Sequence, residues 1–287
     1  MAERARAFRD NVAGPFFVDE SCIDCGTCYT WAPEVFAEAL DHSHVARQPQ
    51  DDAQRLRAQM ALVACPTASI GSDDSRDARA ASEAFPVPIG DGVAFCGYTS
   101  EKSYGAWSYF VQRSGGNLLV DSPRAAAPLL RRLEQQGGVS LMVLSHRDDV
   151  ADHALFQRRF GCERVMHRDD GVPGLERYLD GDEPMALAPD LLAIPVPGHT
   201  RGSICLLYRN SVLFTGDHLW WSPARAGLSA SRAVNWYSWE RQLQSLEKLL
   251  DFEFQVVLPG HGRAHRADSP AAMRRELEQA LVRLRAA

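Results

Sequence analysis

Residues 196–218 read VPGHTRGSICLLYRNSVLFTGDH, and this stretch decides how the larger part of the chain folds. Two apolar runs, SICLLY (203–208) and SVLF (211–214), are separated only by Arg209-Asn210. So short a connection has no room for the crossover that parallel strands need. It predicts an antiparallel hairpin turning at those two residues. His199 stands shortly before the first run and Asp217 shortly after the second. Potential metal ligands are therefore expected at strand ends, where loops converge on one edge of a sheet.

Working outward, the same alternation of short apolar runs and amphipathic stretches begins at Val93. SYFVQR (108–113) and NLLVDS (117–122) read as strands joined by Ser-Gly-Gly, followed by a helix over Pro123–Gln136 and a buried strand at VSLMVLS (139–145). A helix is expected over Val150–Phe160, a strand at LLAIPV (191–196), a long amphipathic helix over Trp236–Leu250, a strand at FQVVLP (254–259) and a terminal helix over Pro270–Ala287. Sheets flanked by helices in this order predict an α/β domain with two β-rich halves. There is no internal repeat of fixed period. Before this region, the polar, Ala/Ser-rich stretch from Ser72, closed by prolines and glycines, reads as a connection. The expected organisation is a small domain at 1–71, a linker at 72–90 and a large domain at 91–287.

The whole chain has 287 residues, 45% hydrophobic and 24% charged, which is the composition of a globular protein and not of a disordered one. No apolar run is long enough to span a bilayer, so a cytoplasmic protein without a membrane partner is expected. Residues 1–90 hold 8 Lys/Arg against 14 Asp/Glu, leaving 23 of each sign in the remainder, so all the excess acidity is N-terminal. An acidic small module suits a basic redox partner such as a reductase, and equally serves solubility. No basic stripe points to nucleic acid.

Four of the seven cysteines lie in that acidic part: Cys22, Cys25 and Cys28 in SCIDCGTCYTWAP, and Cys65 in ACPTASI. An odd number of cysteines, four of them so clustered, argues against a disulfide framework and for a metal or cluster site. Three thiolates on one tight loop with a distant fourth suit an iron–sulfur cubane better than zinc, whose sites use two separated pairs. Gly26 lets the loop fold closely. The other cysteines, Cys96, Cys162 and Cys205, sit in apolar surroundings and read as small buried side chains.

Over residues 15–71 the segment resembles the single-cluster bacterial ferredoxins, through the C-x₂-C-x₂-C triplet and the later Cys65-Pro66. Two-cluster relatives carry a further Cys before the proline after the triplet. Here that place is Ala32-Pro33, so the resemblance implies one [4Fe-4S] cluster on Cys22, Cys25, Cys28 and Cys65, in an α+β ferredoxin-like module.

In the larger part, apolar strands stop repeatedly at His or Asp: LSHRDDVADH (His146, Asp148, Asp149, Asp152, His153), VPGHTRGS (His199), FTGDHL (Asp217, His218) and LPGHGRAH (His261, His265). Taken in order, PGHT, LFTGD and LPGHG resemble the metallo-β-lactamase superfamily, glyoxalase II-like hydrolases in particular, over residues 92–265. The resemblance implies a four-layer αββα fold and one or two divalent metal ions, zinc or iron. His199 would bind one metal, Asp217 bridge two, and His261 complete the second. The first motif departs from the family pattern His-x-His-x-Asp-His by being two residues longer and lacking the middle histidine. Counted from the left, Asp148 takes that place; counted from the right, Asp152-His153 keep theirs. His146, Asp152 and His153 are expected as ligands, with Asp148 or Asp149 supplying the missing one. Asp152 would orient the attacking water or bind the second metal. An added carboxylate would favour iron or manganese.

His42 and His44 read as surface residues, His167 as a residue of the pocket mouth, and His218 as a contact behind Asp217. The pairs Trp220-Trp221 and Trp236 with Trp239 read as core. The leading expectation is a metal-dependent hydrolase of an ester or thioester-like small molecule. One alternative is an oxidoreductase in which the cluster reduces an iron centre in the larger domain. Another is a redox sensor with a degenerate hydrolase domain.

Overall fold

The computed structural model describes residues 1–74 and 78–286. Ser75–Asp77, in the middle of the expected linker, and Ala287, the expected end of the last helix, lie outside the described residues. The chain divides into two compact units. One holds Met1–Gln112, Pro123–Val139 and Ala151–Phe160, the other Arg113–Ser122, Ser140–Val150 and the chain from Gly161 onward.

The first unit opens on the α+β module. Strand Phe16–Val18 pairs antiparallel with Ile70–Ser72, so the two ends of the module are zipped together. A hairpin of Phe36–Glu38 and Ser43–Val45 lies between them in sequence. Helix Asp52–Ala64 begins at Asp51, whose carboxylate accepts from Gln54 N at 2.8 Å, satisfying an amide that the helix itself leaves unpaired. Cys65-Pro66 stops it, because proline continues no helix and disfavours helical backbone in the residue before it. The core packs Phe16, Val18, Val35, Phe36, Val45 and Ile70 around Cys28 and Cys65. Each such large apolar side chain contributes about 1.5–3 kcal/mol when fully buried. A module this small buries little in total, so a bound cluster adds stability where the core is short of it.

Beyond the module the same unit continues with helix Arg79–Ala84 and an antiparallel meander of Val87–Gly90, Val93–Phe95 and Tyr109–Val111. Much of the stretch expected as a linker is therefore regular structure. Its polar composition hides two anchors, Ala81 and Phe85, which are buried; Phe85 meets Phe95 edge-on at 5.8 Å between ring centroids. Helices Ala127–Gln135 and His153–Phe160 complete the unit, burying Leu129, Leu133 and Phe156. The second starts at His153, later than expected, because Ala151 takes a positive φ of 29° that helical backbone does not allow.

In the second unit, strands Leu118–Val120, Leu141–Val143, Glu163–His167 and Arg177–Leu179 form a parallel ladder in that order. A six-stranded sheet runs Met185–Ala188, Leu191–Pro195, Ile204–Tyr208, Val212–Gly216, Val256–Pro259, His265–Arg266. The hairpin expected at Arg209-Asn210 is present: both residues have left-handed φ, 53° and 48°, the backbone that matches the twist of a two-residue hairpin. Val212–Gly216 and Val256–Pro259 are parallel, and helix Trp239–Lys248 lies in the crossover between them. That helix begins three residues after Trp236 because Ser238 caps it, its hydroxyl accepting from Arg241 N at 3.3 Å. Leu246 from this helix and Leu277 and Leu281 from helix Pro270–Ala286 join Leu207, Leu213 and Val257 of the sheet in one core. That packing fixes the strand ends that carry His199, Asp217 and His261.

Candidate metal centre

His146 follows strand Leu141–Val143 by three residues, and Ser145 before it is held by Ile204 N, which donates to the Ser145 carbonyl at 2.8 Å. His199 lies in the turn between Leu191–Pro195 and Ile204–Tyr208, and Asp217 directly follows Val212–Gly216. The two imidazoles meet edge-on with centroids 4.8 Å apart. Asp148 Oδ2 is 3.9 Å from His146 Nε2 and 3.5 Å from His199 Nε2. Asp217 Oδ2 is 3.7 Å from His146 Nε2 and 3.8 Å from His199 Nε2. Four donors about 2.1 Å from one tetrahedral ion stand roughly 3.4 Å apart, so these atoms have nearly the spacing of a coordination shell. His146 Nε2, His199 Nε2 and Asp148 Oδ2 are buried with no hydrogen-bond partner, a costly state unless something else satisfies them. The donors of His146, Asp148 and His199 fit one divalent cation, with Asp217 Oδ2 beside both imidazoles.

A second grouping joins His146, Asp149 and Asp217. Asp149 is 1% exposed and neither of its oxygens has a hydrogen-bond partner. Burial raises its pKa well above the ordinary carboxylate value, despite the pull of His146. Asp217 goes the other way: His261 and His146 outweigh its burial and hold it well below. His261 Nδ1 lies 2.8 Å from Asp217 Oδ1. Burial opposes protonation of His146, but Asp149, Asp217 and Asp121 overcome it and push its pKa up to about 10. The cluster of carboxylates thus attracts positive charge, a proton or a cation.

Other side chains hold these residues in place. Asp121 accepts from Ser145 N at 2.7 Å and from Ser145 Oγ at 3.0 Å, and Ser145 Oγ is 2.9 Å from His146 Nδ1. This chain orients the ring so that Nε2 faces Asp148 and Asp217. Asp170 accepts from Arg147 N, Thr200 Oγ1 and Gly202 N at 2.8, 2.8 and 2.6 Å. The glycine of PGHT is required by packing: a Cβ on Gly198 would stand 2.5 Å from Gln242 Cα.

Of the residues expected from sequence, His146, Asp148, His199 and Asp217 come together, with His261 on Asp217 and Asp149 beside them. Asp148 stands where counting from His146 places it. Asp152 and His153 belong to neither grouping. The Asp152 carboxylate accepts from Lys102 Nζ at 2.7 Å and Ala125 N at 3.0 Å, and His153 opens helix His153–Phe160. His167 has both ring nitrogens engaged, by Gly181 O and Asp169 N. His218 is buried with neither nitrogen partnered, and burial drives its pKa down to about 3. Trp220, Trp221 and Trp239 pack on the core, whereas Trp236 is 59% exposed beside His199, to which its ring is edge-on at 6.4 Å. Sequence reading missed Asp121, Ser145 and Asp170. Asp121 carried a usable signal, because NLLVDS is one more strand that stops at an aspartate.

The four cysteines of the small module line a single cavity together with Ile23, Thr27, Pro66 and Ser69. Gly26, at φ 79°, makes the tight turn inside the triplet. Donors are already aimed at the sulfurs: Asp24 N and Ser43 N lie 3.4 and 3.5 Å from Cys22 Sγ, and Ser69 Oγ lies 3.5 Å from Cys65 Sγ. Burial pushes the Cys25 thiol up to about 11 and Cys28 still further. Four converging sulfurs ringed by N–H and O–H groups fit an iron–sulfur cluster, whose sulfurs accept such bonds. Cys96, Cys162 and Cys205 are buried, as their surroundings predicted.

The family described as "4Fe-4S single cluster domain of Ferredoxin I" matches residues 18–72, and that described as "Metallo-beta-lactamase superfamily" matches residues 104–261. Among curated proteins, the hydroxyacylglutathione hydrolase of Fuscovulum blasticum is 38% identical over 116 residues, covering 37% of this chain and 44% of that one. That of Rhizobium etli is 29% identical over 145 residues, covering 48% and 55%. The chain spans about half the length of these relatives. Among solved structures, TMB-1 superposes with a TM-score of 0.52 at 16% identity, covering 67% of this chain and 95% of that one. BLEG-1 B3 metallo-beta-lactamase does so with 0.50 at 17% identity, covering 61% and 93%. These likenesses concern the fold.

Proposed function

The chain belongs to the metallo-beta-lactamase superfamily, and from that premise we propose that its larger part is a metal-dependent hydrolase holding one divalent cation between His146, Asp148, His199 and Asp217. One observation carries this reading: the facing Nε2 and Oδ2 atoms of these residues stand 3.5–3.9 Å apart across the two imidazoles. The substrate class is an ester or thioester-like small molecule, in keeping with relatives named for hydrolysing hydroxyacylglutathione.

A bound divalent ion supplies Lewis acidity, polarising a carbonyl and lowering the pKa of water toward neutrality. The protein's own residues do the rest. Ser145 and Asp121 fix the His146 ring. Asp148, with its side chain 44% exposed, is the most accessible of the four residues. Asp149 is buried in the grouping with His146 and Asp217, and neither of its oxygens has a hydrogen-bond partner, so it offers a further carboxylate to the cation. Asp152 is assigned no chemical role, since Lys102 and Ala125 occupy its oxygens.

The test is metal analysis of protein purified without oxygen. Wild type should hold one divalent ion beyond the cluster iron, and His199→Ala should lose that ion and any ester or thioester turnover while keeping the cluster absorbance. Unchanged metal content in His199→Ala would remove the proposal. A second reading, electron transfer from the cluster to iron in the same site, is favoured by Asp148, because a second carboxylate makes the donor set harder. Stoichiometric zinc there, with no iron beyond the cluster, would exclude it.

A further inference from the structure

The residues lining the cavity of the four cysteines all lie within the ferredoxin-like segment, but contacts on the cysteines themselves do not. Gly105 lies inside the stretch matched to the metallo-beta-lactamase superfamily, yet its backbone presses on a cluster cysteine. A Cβ at Gly105 would stand 2.5 Å from Cys25 Cβ, 2.8 Å from Cys25 Sγ and 3.3 Å from Pro66 Cγ. Its φ of +84° suits glycine for a second reason. The Gly105 carbonyl accepts from the buried Thr27 hydroxyl at 3.2 Å, and that hydroxyl lies 3.6 Å from Cys25 Sγ.

The loop bearing Gly105 is closed on itself, Gly105 N donating to Ser100 O at 2.8 Å and Ala106 N to Ser103 O at 2.8 Å. Its base is fastened to the helix end that delivers Cys65. Ala64 O, which has no acceptor role left within its helix, receives Thr99 N at 3.2 Å and Thr99 Oγ1 at 2.6 Å. Arg124 Nη2 donates to Val63 O at 3.0 Å. Two of the last carbonyls before Cys65 are therefore satisfied by residues outside the 18–72 module.

We propose that the loop Thr99–Ala106 is an outer wall of the cluster site, packed behind Cys25, with Gly105 the residue that permits this contact. The module then holds its cluster durably only while this loop is seated. The wall also sets the cluster's environment. With Gly105 in place the Thr27 hydroxyl is committed to a carbonyl and the Cys25 sulfur is shielded. With the loop displaced, water and that hydroxyl reach the sulfur, and both favour the reduced state.

The test uses the full chain, purified without oxygen, as Gly105→Ala beside Gly92→Ala. Gly92 has a similar left-handed φ of +74° but nothing within 4 Å of its Cβ position, so both variants carry the backbone strain and only one pushes on Cys25. Iron and sulfide content, the paramagnetic spectrum of the reduced cluster, its midpoint potential and its loss under chelator are measured. Gly92→Ala should match wild type. Gly105→Ala should lose cluster on the order of tenfold faster, the effect of removing an outer-shell contact, with a potential shifted upward. Gly105→Ala indistinguishable from Gly92→Ala in all four readouts overturns the proposal. Should Gly105→Ala not fold, Thr99→Val decides, since it removes only the hydroxyl tie to Ala64 O: faster cluster loss supports the wall, and a wild-type rate overturns it. None of these readouts depends on the His146 site or on turnover.

Discussion

Asp170 accepts from the Thr200 hydroxyl with the same carboxylate oxygen that accepts from Arg147 N, each at 2.8 Å. One carboxylate, 6% exposed, thereby ties the residue after His146 to the residue after His199. His146 and His199, 53 positions apart in sequence, thus have their following residues tied to one carboxylate, and their rings stand 4.8 Å apart between centroids.

Asp170→Ala should therefore disturb both ligands at once. It strands the Arg147 and Gly202 amides, while the Thr200 hydroxyl keeps Ser203 Oγ at 2.7 Å, and a buried donor left unpaired costs about 1–3 kcal/mol. Cation affinity should fall about 10- to 100-fold, as for other outer-shell partners, with a lower unfolding midpoint. Competition with a chelating dye and thermal unfolding check both. Asp170→Asn, which keeps one acceptor, should lie between Ala and wild type.

Asp148 makes the donor set two imidazoles and two carboxylates. Asp148→His should move metal preference toward zinc, because imidazole suits it better than a further carboxylate does. Asp148→Ala should bind every divalent ion more weakly. Metal content after equilibration with equal zinc and iron(II), without oxygen, measures the preference; an unchanged ratio in Asp148→His would place Asp148 outside the shell.

Gly260 leaves room for two carboxylates. A Cβ there would stand 2.7 Å from Asp149 Oδ2 and 2.9 Å from Asp217 Oδ1. Gly260→Ala should lower cation affinity with a stability loss of about 1–3 kcal/mol, the usual cost of overpacking. Isothermal titration with the divalent ion and denaturant unfolding separate the two effects.

The Arg164 guanidinium beside Glu176 holds its carboxyl down at about 2, the two meeting at 2.8 Å. A lowered folded-state pKa adds stability above the unfolded value, near 4.5, that is lost as pH falls through the folded one. Glu176→Gln should thus be less stable than wild type at pH about 6, and the gap should narrow as pH drops toward about 2. Unfolding midpoints across that range test the sign.

Several features were legible in the residues themselves. The Arg209-Asn210 hairpin was, because a two-residue connection admits few backbones and these two tolerate left-handed φ. The cysteine pocket was, because a triplet at three-residue spacing must converge locally. The strand Val87–Gly90 and helix Arg79–Ala84 were hidden, since their polar stretch is ordered by Phe85 meeting Phe95, a contact with a residue ten positions away.

The first histidine motif shows the limit most clearly. Sequence alone determined that His146, His199, Asp217 and His261 end or follow apolar strands, because hydrophobic periodicity dictates which residues enter the sheet and which emerge at its edge. It left two ways of counting through Arg147–His153. Tertiary structure decided where each of these residues lies, by bending Arg147–Asp149 into a turn that brings Asp148 to His199 while Lys102 and Ala125 take the Asp152 carboxylate. That choice rests on hydrogen bonds between residues distant in the chain, and no local pattern encodes them.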